Sequence, residues 1–297
     1  MYLKVAAYAC LWYATSSVES MTQKAFYLKY PYPITVSLSH MAFNVIMLYL
    51  LLKLLGLSTH IVKEKSVVVL GSLKIAASIF SHMSNLMLSV LYAQTIKTLA
   101  PILTILLSRV YYNEKQSSYV YIAVLLMSLG VTIATVTELE LNVLGILAAV
   151  LMTGSSQCSM FFSKFFSTKL NMDPLAMLYN IHVVGLIGVL PIWFIVELPS
   201  ISYHCTVMEE GEYSVFFRYL LFFGILSFTS HVTKFSLLRI VTSVSYAIID
   251  SGNCIVKVVV TAIKNSNLHS PSNVFGSSLA IFGVMLYSQT KIKNKVH

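Results

Sequence analysis

Charge is scarce in this chain. Only 10% of its 297 residues are Asp, Glu, Lys or Arg and 57% are hydrophobic, whereas soluble domains carry about 25% charged residues. With a mean hydropathy of +0.78, no stretch is left for a separate soluble domain. Acids are scarcer still, 11 against 20 Lys and Arg, for a formal net charge of +9. No acidic metal cluster and no His/Asp catalytic pair can be assembled, which argues against an enzyme acting on lipid-phosphate donors. The four cysteines show no CxxC and no Cys/His ligand spacing, so neither a disulfide framework nor a zinc site is implied. No metal, cofactor or catalytic residue is predicted. No Asn-x-Ser/Thr sequon occurs. An Arg/Ser-rich transit peptide and a small-residue cleavage site are also missing, so the amino terminus is expected to stay on as the first helix. No basic patch with interleaved aromatics lies outside the apolar runs, which excludes nucleic acid as a partner; the basic excess fits cytosolic loops beside a lipid bilayer.

What is present is a series of apolar runs long enough to span a bilayer, which needs about 20 residues each. Ten are predicted, near 4–26, 33–56, 67–88, 92–112, 118–136, 142–168, 174–198, 214–238, 242–264 and 271–290. Backbone groups in lipid must be satisfied internally, and runs of this length specify helices rather than barrel strands. The expected fold is an all-α integral membrane protein of one domain, 1–297. The longest connection is about 199–213, with Glu209, Glu210 and Glu212 around Gly211. The third and fourth runs have no charged break between them, so a tight turn is required near Leu91–Ile96. Lys53, Lys63, Lys65, Arg109, Lys115, Lys169, Arg239, Lys291, Lys293 and Lys295 fall on one side of the resulting topology, opposite the loop acids Glu138, Glu140, Glu197, Glu209, Glu210 and Glu212. The positive-inside rule places that side, with both termini, in the cytosol.

Four lysines, Lys74, Lys97, Lys234 and Lys257, lie inside the runs, with only Glu19 and Asp250 as comparably placed acids. A charge at the bilayer centre costs at least ~2.5–3.5 kcal/mol on insertion scales, so such residues face a bundle interior or a watery path. Excess positive charge there favours a small anionic substrate. Lys97 is near enough to the end of its run to snorkel; Lys257 is deep, and its alternative partner is Asp250, two turns back on the same face. Lys234 shares a face with His231. Glu19, Lys74 and Asp250 are candidates for gating or charge pairing. His182 reads as a hydrogen-bonded core residue. Pro101 permits a kink in the fourth run. A faint internal echo, Ser118–Val131 against Pro271–Val284, suggests two five-span halves, about 1–138 and 139–297, inverted in the membrane with substrate at their midplane junction.

The segment Gln94-Thr95-Ile96-Lys97-Thr98-Leu99-Ala100-Pro101, followed by Leu106-Leu107-Ser108-Arg109 and Asn113-Glu114-Lys115, resembles the triose-phosphate/sugar-phosphate transporter family of the drug/metabolite transporter superfamily. It is most similar to the eukaryotic branch grouped with nucleotide-sugar carriers. Leu11-Trp12-Tyr13-Ala14, Tyr30-Pro31-Tyr32-Pro33 and the ending from Asn273 to Tyr287 agree with it. The resemblance implies ten transmembrane helices as an inverted five-plus-five repeat around a basic site. Its implied activity is exchange of a phosphorylated sugar or nucleotide sugar for phosphate or a nucleotide monophosphate. Lys97 matches the family's phosphate-binding lysine; Ser81 and His82 fall where plastid members place hydroxyl and imidazole groups, and Gln94 stands where a histidine is frequent. The plastid members' Lys-Arg pair in span 9 matches either Val256-Lys257, after Gly252-Asn253, or Asn253-Cys254, with Lys257 one turn on. The first match loses one charge, and either way the phosphate clamp is weaker than in a plastid carrier, which leaves a plastid-type triose-phosphate/phosphate translocator and a non-transporting protein on the same scaffold as alternatives. The tail Lys293-Asn294-Lys295-Val296-His297 has the dilysine form that coat proteins recognise on endoplasmic-reticulum and early-Golgi membrane proteins, so that location is expected, with the plastid envelope as the alternative.

Overall fold

A computed structural model of the chain describes residues 2–62, 64–88, 93, 96–97, 100–113, 115–135, 142–207, 212–264, 272, 275–276, 278–279, 281–283 and 285–287. Among these residues there is no strand. The helices are α1 (Tyr2–Lys29), α2 (Pro33–Leu54), α3 (Lys65–Met87), α4 (Ala100–Tyr111), α5 (Ser118–Thr135), α6 (Val143–Lys169), α7 (Pro174–Val196), α8 (Leu198–Val207), α9 (Glu212–Ile240) and α10 (Ser243–Lys264). Lys97, just ahead of α4, and the described residues between 272 and 287 are helical too. Six helices (α2, α3, α6, α7, α9 and residues 243–260 of α10) are long and apolar enough to cross a membrane, while α4 and α5 are shorter apolar helices. Rows of lipid-compatible side chains such as Leu147, Leu151, Ile187, Phe194 and Ile195 lie on the outside.

The connection expected at 199–213 is partly a helix. Pro199 sits in the first turn of α8, where its missing N–H costs nothing. The Ile201 amide bonds Glu197 O at 2.9 Å, and the Ile201 side chain packs on the cluster around Phe26 and Tyr30. Glu197 itself, read from the sequence as a loop acid, is buried. Its carboxylate accepts from Ile34 N at 2.8 Å, Thr35 N at 2.6 Å and Thr35 Oγ1 at 2.7 Å. A helix N-terminus leaves four amides without intrahelical partners and carries partial positive charge; Glu197 satisfies two of those amides at the start of α2. Asn142 and Asp173 cap α6 and α7 by accepting from Gly145 N and Leu175 N. At the end of α9 the Lys164 ammonium donates to Leu238 O and Val241 O. Outside the apolar spans, Lys29 donates to Glu212 Oε1 at 2.6 Å, and that hydrogen bond raises its pKa.

The packing follows a repeating scheme. Helix α3 lies against α6 as α1 lies against α9; α3 meets α7 as α9 meets α2; α1 meets α10 as α6 meets α4; and α2 crosses α7, as α4 crosses α10. Glycines sit at several close approaches, two of them at matched crossings. A Cβ on Gly71 would stand 2.3 Å from Val184 Cγ1, and one on Gly224 2.7 Å from the Phe43 ring. Small residues at crossings are how membrane helices bring their backbones close.

Apolar clusters close the bundle at both ends. Phe26, Tyr27, Tyr30, Phe216 and Phe223 gather at the α1 carboxy-terminal end. Trp12, Leu237, Leu238, Val241 and Tyr246 gather at the other, with the Trp12 and Tyr246 rings stacked 5.7 Å apart. The polar site lies between.

Candidate functional site

A cavity of about 150 Å³ is lined by Lys74, Lys97, Lys234 and Lys257 together with Glu19, Ser81, His82 and Asn253. It continues into a lobe of about 50 Å³ that Asp250 lines; Lys74, Lys97, His231 and Lys234 border both. All four intramembrane lysines therefore face one space. Four ammoniums against the carboxylates of Glu19 and Asp250 leave it a formal charge of +2.

The lysines differ in what holds them. Lys97 Nζ pairs with Asp250 Oδ1 at 3.2 Å. Asp250 Oδ2 accepts from Gln157 Nε2 at 3.0 Å, and Gln157 Oε1 lies 3.4 Å from Thr104 Oγ1, so the pair is braced by α6 and α4. Lys74 Nζ lies 2.6 Å from His231 Nε2. The His231 Nδ1 is 2.7 Å from Ser227 O; with the proton on Nδ1 donating there, Nε2 is free to accept from Lys74. Lys234 Nζ stands 5.3 Å from the centre of the Trp12 ring, a cation–π contact that partly replaces its lost hydration. Lys257 is 8% exposed and makes no hydrogen bond or ion pair with any described residue. The alternative considered for it, a pair with Asp250, is not formed: Asp250 is taken by Lys97.

Glu19 Oε1 accepts from Gln23 Nε2 at 3.3 Å and lies 3.9 Å from His40 Nε2. His82 Nδ1 is bonded to Tyr27 OH at 2.8 Å, and Asn253 Oδ1 accepts from Ser16 Oγ at 2.8 Å. His182 is a core residue, its Nδ1 2.9 Å from Leu178 O. Gln94, Lys293 and Lys295 lie outside the described residues. Sequence reasoning passed over Ser16, Ser20, Gln23, His40, Asn85 and Ser230, all of which line the cavity. The signal was present: Ser16, Glu19, Ser20 and Gln23 recur at helical spacing down one face of α1, as do Lys74, Ser78, Ser81, His82 and Asn85 on α3.

A third cavity, about 420 Å³, opens between the ends of α6, α7 and α9, with Lys164, Asp173 and Arg239 in its wall. Phe235, 3% exposed, borders this vestibule on one side and the lysine cavity's small lobe on the other. Arg239 pairs with Asp173 at 3.3 Å beside it.

A polar, cation-rich chamber inside an all-helical bundle is the architecture expected of a membrane transporter. The chain matches the triose-phosphate transporter family over residues 3–288, and it belongs to that family. It is a multi-pass membrane protein of a transporter family rather than an enzyme. Among its relatives, phosphoenolpyruvate/phosphate translocator 2 of Arabidopsis thaliana chloroplasts is 27% identical over 97% of this chain and 77% of its own length. A Schizosaccharomyces pombe protein with a provisional transporter designation is 27% identical over 96% of this chain, which spans 66% of that relative's length. A sugar phosphate/phosphate translocator of A. thaliana, provisionally so named, is 23% identical over 90% of the chain and 73% of its own. A crystal structure 12% identical in sequence superposes with a TM-score of 0.71, covering 97% of this chain and 96% of the other, and it shares the fold.

Proposed function

We propose that this chain is a secondary antiporter that exchanges a small phosphorylated metabolite for inorganic phosphate. The observation that carries the reading is the convergence of Lys74, Lys97, Lys234 and Lys257 on one intramembrane cavity with a formal excess of two positive charges. An ammonium binds phosphate as a point charge, without the paired geometry an arginine demands. Lys97 contributes from one half of the chain and Lys257 from the other. The names of the relatives support phosphate as the counter-substrate. A nucleotide sugar for a nucleotide monophosphate is the competing pair.

Exchange is obligatory in this reading. Lys257 has no ion-pair partner among the described residues and the site carries a formal excess of two positive charges, so the empty carrier holds excess ammonium charge in a low-dielectric site. Bound phosphate supplies the missing charge, and the transition between facing states proceeds with the anion rather than without it. The ten-span, inverted five-plus-five arrangement, with halves about 1–138 and 139–297, is supported by the matched helix contacts described above. We place the α6–α7 turn and both termini in the cytosol, by the charge bias of the loops, and the protein in the endoplasmic reticulum or Golgi, by the dilysine form of its tail and coat-protein recognition of it. The chloroplast location in a relative's name favours the plastid envelope as the second reading. A Lys293→Ser, Lys295→Ser variant that reaches the cell surface supports the first; an unmoved variant removes it.

The test is counter-exchange in proteoliposomes holding the purified protein. Vesicles preloaded with phosphate, UMP, GMP or nothing are offered labelled phosphate, sugar phosphates and nucleotide sugars. Phosphate-dependent exchange, lost in Lys97→Ala and Lys257→Ala, is the expected result. Nucleotide-dependent exchange moves the substrate to the nucleotide-sugar class. No exchange from folded protein leaves the scaffold without this activity.

A further inference from the structure

We propose that His82, with Tyr27 behind it, is the inner face of a second barrier, the counterpart at one mouth of the chamber of Phe235 at the other. The proposal rests on the exchange reading, in which two barriers open in turn, and assigns the second of them.

One offset in the chain recurs through the helices that follow α2 and α7. Gly71 and Gly224, the glycines of the matched crossings, are 153 positions apart, as are Lys97 and Asp250. The carboxy ends of α3 and α9, Met87 and Ile240, keep that separation, and so do those of α4 and α10, Tyr111 and Lys264. The carbonyls that lysines cap at the ends of α3 and α9 follow it too. Lys24 of α1 donates to Asn85 O, Leu86 O and Leu88 O, and Lys164 of α6 donates to Leu238 O and Val241 O. Those two lysines stand equally far before the ends of their own helices, Lys29 and Lys169. Lys97 and Asp250 are thus equivalent positions that touch, at 3.2 Å. Two equivalent positions meet only beside the axis that relates them.

On this register Phe235 corresponds to His82. Each lies five residues before the end of its helix, roughly 7.5 Å along the helix axis. The two ends reach opposite mouths: Leu237 and Leu238 of α9 join the Trp12 cluster, whereas Leu86 of α3 packs on the aromatic cluster of Phe26 and Phe223. Phe235 is buried between the chamber and the vestibule. His82 is buried between the chamber, whose wall it forms, and that aromatic cluster. Its Nδ1 is bonded to the hydroxyl of Tyr27, a member of the cluster, at 2.8 Å. A second link runs through the His40 ring, 5.1 Å from the His82 ring and 6.4 Å from that of Phe223.

The two barriers do the same task with different chemistry. Apolar packing holds the Phe235 ring in place. The hydrogen bond to Tyr27 holds the imidazole across the passage between chamber and aromatic cluster. A neutral hydrogen bond contributes little net free energy in a protein, so it yields within a transport cycle. The resemblance to plastid members sets an imidazole here against substrate; the bond to Tyr27 directs it to the mouth instead.

The readout is efflux of labelled phosphate from preloaded proteoliposomes into medium without a counter-anion, beside phosphate/phosphate exchange on the same preparation. His82→Ala is expected to raise efflux at least about tenfold over wild type, one decade of rate for a lowered barrier. A histidine that only binds substrate would lower exchange and leave efflux slow. His82→Phe combined with Tyr27→Phe installs the ring found at the equivalent position and removes both bonding partners together, which leaves no orphaned hydroxyl. That double variant is expected to bring efflux back toward the wild-type rate. Should His82→Ala not fold, Tyr27→Phe cuts the bond, keeps the ring and is expected to raise efflux by a smaller factor. Efflux at the wild-type rate from the folded single variant overturns the proposal, and so does a double variant as leaky as His82→Ala. Absence of phosphate/phosphate exchange in folded wild-type protein instead overturns the antiporter reading, and this proposal with it.

Discussion

Lys97 and Asp250, 153 positions apart in the chain, meet at 3.2 Å in the middle of the bundle. The contact joins the helical segment leading into α4 to α10 at the wall of the chamber. In the proposed exchange, a phosphate entering the chamber would compete with Asp250 for the same ammonium, and the pair would stand in for substrate until it arrives.

Removing one partner of a buried pair costs about 3–5 kcal/mol, because the other is left uncompensated. Asp250→Asn is expected to lower the melting temperature of the purified protein, and added phosphate to recover more of the loss than it adds to wild type. Thermal unfolding in detergent with and without phosphate reads this. Equal phosphate shifts in the two proteins would mean that phosphate does not reach Lys97.

Lys257 gives the opposite signature. It has no charge partner among the described residues, so Lys257→Met removes a desolvated ammonium and is expected to leave stability unchanged or raised. Exchange is expected to fall at least ~10-fold, one decade for about 1.4 kcal/mol of lost anion contact. Melting temperature and exchange rate on the same preparation check it. A variant that melts lower and transports normally would make Lys257 a structural residue.

Glu197 holds three donors at the start of α2. Glu197→Ala orphans them, and hydrogen bonds to a charged group are worth about 1.5–3 kcal/mol each. The variant is expected to lose most of its yield of folded protein, with Glu197→Gln recovering part of it. The folded fraction should keep the wild-type KM for phosphate, since Glu197 does not line the chamber.

Phe235 separates the chamber's small lobe from the vestibule between α6, α7 and α9. Phe235→Ala opens that wall and is expected to let labelled phosphate leave preloaded vesicles without an external counter-anion. Efflux as slow as from wild type would move the barrier to the Trp12–Tyr246 stack. Trp12→Ala is the companion variant.

Six of the predicted spans and the four lysines were legible in the sequence because length and charge are unmistakable in apolar surroundings. What the lysines do to one another was not. Local spacing suggests Lys257 as the partner of Asp250, two turns away on one helix; the actual partner comes from another helix through tertiary packing. Glu197 looked like a loop acid because its three donors lie more than 160 positions earlier in the chain. The polar stripes of α1 and α3 could have been read from their spacing. Serine and amide side chains also bond their own helix backbone, as Ser20 does to Ser16 O, and that masks a lining residue among ordinary ones.

The glycines at the two tight crossings have a mechanical meaning. Gly71 and Gly224 each remove the side chain where α3 meets α7 and where α9 meets α2. From each glycine to the carboxy end of its helix, Met87 or Ile240, the arm is roughly 24 Å long. The α3 arm ends beside Lys24, toward the end of α1 where Glu212 starts α9, so the α9 arm points to the opposite face. If the carrier rocks between facing states, the two crossings would act as matched fulcrums with equal, oppositely directed levers. A tilt of about 10° at either moves a tip by roughly 4 Å while the backbones at the pivot barely shift. A single added methyl at Gly71 or Gly224 would force the facing helix away at that pivot.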